Sequence, residues 1–240
     1  MMAFLTHIFP LTSTYLQNNS SISELDKVLV KLSSEKWNKF VIVGPDRADK
    51  TALAFQAAVS AAASGARVTY ICTHPLKRLP NAVHGMMTPE LAIMRLVDFL
   101  YLEESDELLS WCAKIHTKAK LPNLIVIEDI LTYATQINEN NIERSLAKLC
   151  AIISDAVSWI ESQDEKKRCQ ILMTAPTRIL SLNGVLAQFN IMTALYSGPE
   201  KEELHSKVCY NVGDHSLIIQ FLSQKDSIMM TSIKASLKVS

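Results

Sequence analysis

Residues 39–51, KFVIVGPDRADKT, hold the spacing in this chain with the most chemistry in it. An apolar run leads into Gly44, and Lys50 and Thr51 follow six and seven positions later. This is the spacing of the phosphate-binding loop G-x-x-x-x-G-K-[ST]. There, successive backbone N–H groups wrap the phosphates, the lysine reaches the β- and γ-phosphates, and the hydroxyl binds Mg²⁺. The second glycine is missing: position 49 is Asp. A glycine before the lysine lets the main chain press against phosphate without a Cβ in the way. Asp49 adds a side chain and a negative charge. At about 4 Å and an effective dielectric of about 20, one like-charge pair costs about 4 kcal/mol. An inward Asp49 therefore offsets most of what Lys50 gives, whereas an outward one leaves the site workable.

A second element has matching chemistry. Residues 124–129, LIVIED, are four apolar positions followed by Glu128 and Asp129. This is Walker B form, in which the terminal acid orients Mg²⁺ directly or through water. The candidate nucleotide contacts are Gly44, Asp49, Lys50 and Thr51. Thr51, Glu128 and Asp129 are the candidate Mg²⁺ residues, and the two acids are also the candidate catalytic groups. A buried strand whose acids merely end it at the sheet edge fits the same residues.

The surrounding pattern supplies elements that can hold such a site. Residues 40–43 read as a strand buried on both faces, and 52–63 as an alanine-rich helix stopped by Ser64-Gly65. The β-rich stretch 67–72 completes one βαβ unit. A proline-containing loop follows. Thr88-Pro89 then predicts a helix through Leu91, Met94, Leu96 and Phe99, and Ser105 predicts another through Leu108, Leu109, Cys112 and Ile115. Residues 124–127, 169–173 and 191–196 read as further strands, and residues 177–190 fit no single element. Ile142, Leu146, Leu149, Ile153, Val157 and Ile160 make one helical stripe. Residues 217–222 and 228–233 read as a terminal hairpin around the turn 223–226. The expected fold is an open, mostly parallel α/β sheet flanked by helices, with an antiparallel C-terminal edge. Residues 1–35 read as a loose arm plus a helix opened by Ser21 and Glu24, and 36–240 as the P-loop domain.

Composition narrows the function classes. The 240 residues balance 24 basic against 24 acidic side chains, which argues against strong autonomous nucleic-acid binding. Five scattered cysteines without a CxxC pair fit reduced thiols and offer no zinc site. No apolar run reaches the roughly 18 residues of a membrane span. The apolar N-terminus lacks the positive start of a signal peptide.

With both phosphate-site elements placed, the chain resembles the RecA-like recombinase paralogues. Within them it is similar to the small ATPase subunit that pairs with a SWIM-domain zinc-finger protein in the animal Shu complex. The resemblance runs from about residue 40 to 198. Its most specific part is the second strand leading into THPLKRLP (73–80), followed by Thr88-Pro89 and Met94-Arg95-Leu96. LIVIEDI and ILMTAPT match in position and character. The resemblance implies a RecA-like core, ATP with Mg²⁺, and DNA-stimulated ATPase activity. It also implies a nuclear role in homologous recombination, supporting recombinase filaments of the RecA/Rad type on single-stranded DNA. The implied direct partner is the SWIM-domain protein.

Departures from that pattern shape the expectation. The family's catalytic glutamate after the second strand is absent, since the segment reads Cys72-Thr73-His74-Pro75. The polar sensor that ends the fourth strand is replaced by Ala175-Pro176. The stretches that touch DNA in recombinases are here 132–141, without a basic residue, and 177–184, with only Arg178. Lys77-Arg78 and residues 166–168 are the basic clusters. The expectation is a recombination mediator with a degenerate P-loop and a scaffold role in a heterodimer, binding single-stranded DNA weakly. The alternative is an active single-stranded-DNA-stimulated ATPase. A small-molecule P-loop kinase is a poor third, lacking an Arg-rich lid.

Overall fold

Strand β1 (Lys39–Gly44) lies inside the sheet, and its side chains alternate between two cores. Phe40 and Ile42 face one core, Val41 and Val43 the other, which is why the run is apolar throughout. The computed structural model describes Ile8 and residues 38–46, 49–83, 89–164, 168–198, 205–212, 215–223 and 227–237. Helix α1 (Lys50–Ala63) follows and is almost wholly buried. Six of its residues in that core are alanines (52, 54, 57, 58, 61 and 62), and their small side chains let surrounding backbone approach closely. Gly65, at φ 86°, turns the chain out of the helix in a conformation that suits glycine. Strand β2 (Val68–Cys72) comes next.

The sheet then departs from the expected loop. Residues Ala82–Val83 form a short strand, β3, at the far edge of the sheet. The expected helix from Thr88 through Phe99 is corrected. Only Leu91–Met94 is helical (α2), and Val97–Tyr101 is an edge strand, β4, parallel to β2. Position 88 itself lies outside the described residues. Val97 is buried and Asp98 exposed, so the period there is that of a strand, and pairing with β2 overrides the helical spacing.

Helix α3 (Ser105–Ala113) is present, but its N-cap is Glu104, whose amide donates to Glu107 Oε2. Strand β5 (Leu124–Ile127) leads into α4 (Ile130–Ile137) and α5 (Ile142–Ser162). The α5 stripe is core: Leu146, Leu149, Ile153, Val157 and Ile160 are all buried, and Ile142 at its start is half-buried. Strand β6 (Gln170–Pro176) is followed by a 3-10 turn (Thr177–Leu182) and α6 (Asn183–Gln188). Strands β7 (Met192–Ser197), β8 (His205–Val212), β9 (His215–Ser223) and β10 (Ser227–Leu237) complete the chain. The hairpin is present as β9–β10; residues 224–226 of its turn lie outside the described residues.

The ten strands form one sheet in the order β3-β10-β9-β8-β7-β1-β6-β5-β2-β4. The six from β7 to β4 in that order are parallel, and β7, β8, β9 and β10 alternate in direction. Strand β3 runs parallel to β10, so it starts at the end of the sheet where β2 stops. Residues 73–81 therefore cross from one side of the sheet to the other along the edge that carries Gly44, Glu128 and Ser223. Helix α1 touches β3 and β4 as well as the central strands, so the sheet curls around it. Helices α3, α4 and α5 cover the opposite face. Ile8 is helical and buried in the α1 core; the rest of the arm and the Ser21–Glu24 cap lie outside the described residues.

Candidate nucleotide site

At the C-terminal edge of β1, Lys50 folds back over its own loop. Its Nζ donates to Gly44 O at 2.6 Å and to Pro45 O at 2.9 Å. The residue is 9% exposed. Burial lowers its pKa, while the nearby charges of Asp46 and Asp129 pull the other way. Positions 47 and 48 of the loop lie outside the described residues.

The half-buried Asp49 side chain is engaged away from the helix start. It is the N-cap of α1 but makes no side-chain bond to the helix, and no acid stands in the first turn. Instead the Ser223 hydroxyl, at the end of β9, donates to Asp49 Oδ2 at 2.5 Å. The first helical amides have no partner within the helix, and the N-cap side chain does not take them. Gly44 is needed for another reason: a Cβ there would lie 2.8 Å from Tyr196 Cβ and 3.1 Å from its carbonyl oxygen. Tyr196 in turn donates to Ser206 Oγ at 3.1 Å.

The two acids after β5 part company. Asp129 sits at φ 50° with its amide donating to Thr174 Oγ1 at 3.0 Å. Its Oδ2 accepts from Thr132 Oγ1, while Oδ1 is buried with no hydrogen-bond partner among the described residues. Glu128 leans the other way. Its amide donates to Ile71 O, and its Oε1 accepts from Tyr70 OH at 2.7 Å. Burial, then the Glu128 charge, push the Tyr70 pKa well up, so this phenol stays protonated and donates. Of the two acids, Asp129 is the one whose charge acts on Lys50, whereas sequence order put Glu128 first.

The other candidates are dispersed. Lys77 and Arg78 are exposed on the crossing segment, and Arg178 is exposed in the 3-10 turn after β6. The stretch 132–141, expected as a loop, is helical over most of its length. Residues 166 and 167 lie outside the described residues. His74 is exposed, its Nδ1 2.6 Å from the Thr73 carbonyl oxygen. Pro176 is buried opposite Gly44, and the polar group near that strand end is Thr174, two positions earlier. Burial pushes the Cys112 and Cys150 thiols to about 12, which removes them as nucleophiles. Among the described residues no group of His, Cys, Asp and Glu could by itself hold a metal, and no helix is long and apolar enough to cross a membrane.

Sequence reasoning missed Tyr70, Thr132, Thr174 and Ser223, since nothing local marks them. The residues present fit a Mg²⁺-nucleotide. There is a lysine at the loop, a helix start that its N-cap side chain leaves open, and a buried carboxylate oxygen without a hydrogen-bond partner among the described residues.

No family model matches the chain, and no curated protein matches it in sequence. Among solved structures it is similar to the KaiC-like protein PH0186 from the hyperthermophilic archaeon Pyrococcus horikoshii OT3. The TM-score is 0.53 and the identity 15%, over 81% of this chain and 89% of that one. The fold is therefore that of a RecA-like core: a large, mostly parallel sheet flanked by helices with antiparallel C-terminal strands.

Proposed function

We propose that this chain is a nucleotide-binding recombination mediator subunit. It acts in the nucleus as the heterodimer partner of a SWIM-domain zinc-finger protein and supports recombinase filaments on single-stranded DNA. The nucleotide part rests on Asp129, whose Oδ1 has no hydrogen-bond partner among the described residues and whose charge acts on Lys50 at the start of α1. Lys50 would exchange two carbonyls for phosphate oxygens, Thr51 would bind Mg²⁺, and Asp129 would orient it. A bound nucleotide brings the triphosphate whose terminal phosphoryl group such sites hand to water. The recombination part rests on the resemblance carried by residues 73–80, 88–89 and 94–96. Exposed Lys77, Arg78 and Arg178 are the proposed DNA contacts, and so few cations imply weak, salt-sensitive binding.

One observation favours the second reading, an active single-stranded-DNA-stimulated ATPase. Glu128 is held by Tyr70 over the end of β2, where the sequence after that strand offers no acid. A carboxylate fixed by a protonated phenol is suited to orienting water.

The experiment is co-expression with the SWIM-domain partner, followed by Mg-ATP titration and turnover assays with and without single-stranded DNA, for wild type and Asp129→Asn. Mg-dependent binding lost in the variant, without turnover, supports the mediator. DNA-stimulated turnover moves the assignment to the ATPase. A chain that neither binds the partner nor takes up nucleotide overturns both.

A further inference from the structure

An aspartate at the N-cap of a helix has a strong local preference. Its carboxylate accepts from the amides of the first turn, and this cap is among the most favourable ones known. Asp49 stands there and makes no such bond. Its carboxylate is taken instead by Ser223, 174 positions further along the chain. The restraint is specific in place. Ser223 ends β9, next to the start of β10, and the Asp49 backbone also meets Tyr196 of β7.

We propose that Ser223 is a positioning residue for nucleotide binding, which makes an aspartate tolerable inside the phosphate loop. With the hydroxyl in place, the carboxylate is held to the side and the first-turn amides stay open to an anion. Without it, Asp49 returns to its local preference. It caps α1, occupies the donors a phosphate would use, and places a negative charge against it. The C-terminal hairpin is thereby part of the site, although nothing in its sequence carries phosphate chemistry. The inference rests on the nucleotide reading of this site for its functional consequence, and on the Asp49–Ser223 contact for its structural one.

The test compares wild type, Ser223→Ala, Ser223→Thr, Asp49→Gly and the Ser223→Ala/Asp49→Gly double variant. Two readouts are used: Mg-ATP affinity, and hydrogen exchange of the Thr51 and Ala52 amides without nucleotide. The expected result is that Ser223→Ala weakens ATP roughly tenfold or more, as a carboxylate turned toward phosphate requires. Ser223→Thr keeps the affinity, and Asp49→Gly restores it in the absence of Ser223. In the nucleotide-free protein, Ser223→Ala slows exchange of the first-turn amides, because Asp49 now caps them. A double variant as weak as Ser223→Ala overturns the proposal, since Ser223 would then act through the fold. Unchanged affinity and unchanged exchange overturn it as well. If wild type binds no nucleotide, the nucleotide reading falls, and the exchange experiment alone decides whether Ser223 restrains Asp49.

Discussion

Replacing Lys50 with methionine separates the lysine's work for the fold from its work for a ligand. In the nucleotide-free protein the ammonium is buried, with its hydrogen bonds to Gly44 O and Pro45 O as partners. Methionine keeps the stem and removes the charge. Leaving the buried Gly44 carbonyl unmet costs about 1–3 kcal/mol, and release of a desolvated charge offsets a comparable amount. Pro45 is exposed as a residue, and the bond its carbonyl accepts is only partly buried, so its loss costs less. The net change in unfolding free energy is expected within about 1 kcal/mol of zero. Ligand linkage is different. At Mg-ATP a hundredfold above its dissociation constant, wild type gains about 2.7 kcal/mol. For a chain of this length that raises Tm by about 5–10 °C, and Lys50→Met should gain none of it. The assay is thermal unfolding of both proteins with and without Mg-ATP. Equal ligand-induced shifts would refute the placing of Lys50 on phosphate, and collapse of the nucleotide-free variant would refute the balance drawn for the fold. The pH dependence gives an independent check. Burial lowers the Lys50 pKa, so the folded state holds this proton less tightly than the unfolded chain. Stability should therefore rise with pH from the folded-state value up to 10.5, and the variant should lack that rise.

Three further outcomes are expected. Tyr70→Phe strips the hydrogen bond from Glu128 and should cost about 1–3 kcal/mol in denaturant unfolding, with any ATP turnover falling more than ATP affinity. Gly44→Ala forces a Cβ against Tyr196 and should cost about 1–3 kcal/mol, read as a drop in Tm without ligand. Lys77→Ala/Arg78→Ala should weaken single-stranded DNA binding by the complex and reduce its salt slope by about 1.4, at about 0.7 per cation for single strands, while Tm stays unchanged because both side chains are exposed.

Much of the framework was legible in the sequence because its signals are local. The apolar runs of β1 and β5, the alanine-rich α1 and the stripe of α5 each declare their element within a few turns. Val97–Tyr101 escapes a local reading because Leu91, Met94 and Leu96 continue a helical spacing into it, and only the presence of β2 alongside decides for a strand. Strand β3 is two residues long and exists through its pairing with β10, which no window of sequence contains. The site divides in the same way. Lys50, Thr51 and the acid pair are fixed by spacing, so they could be named in advance. The roles of the acids could not, because Thr174 on β6 sets the amide of one and Tyr70 on β2 holds the carboxylate of the other. The direction of Asp49 was open for the same reason.

The contact between Gly44 and Tyr196 bears on how such a loop would look after evolutionary decay. Because a side chain at position 44 collides with β7, the glycine is under selection from packing alone. A descendant lineage that abandoned nucleotide would retain it, and half of the phosphate-loop signature would survive as a fossil. Lys50 has no such second duty of comparable weight, and the side chains of Asp49 and Ser223 are tied to each other. In a set of relatives, loss of the ligand should therefore show as drift at position 50 and as correlated change at 49 and 223, with position 44 silent.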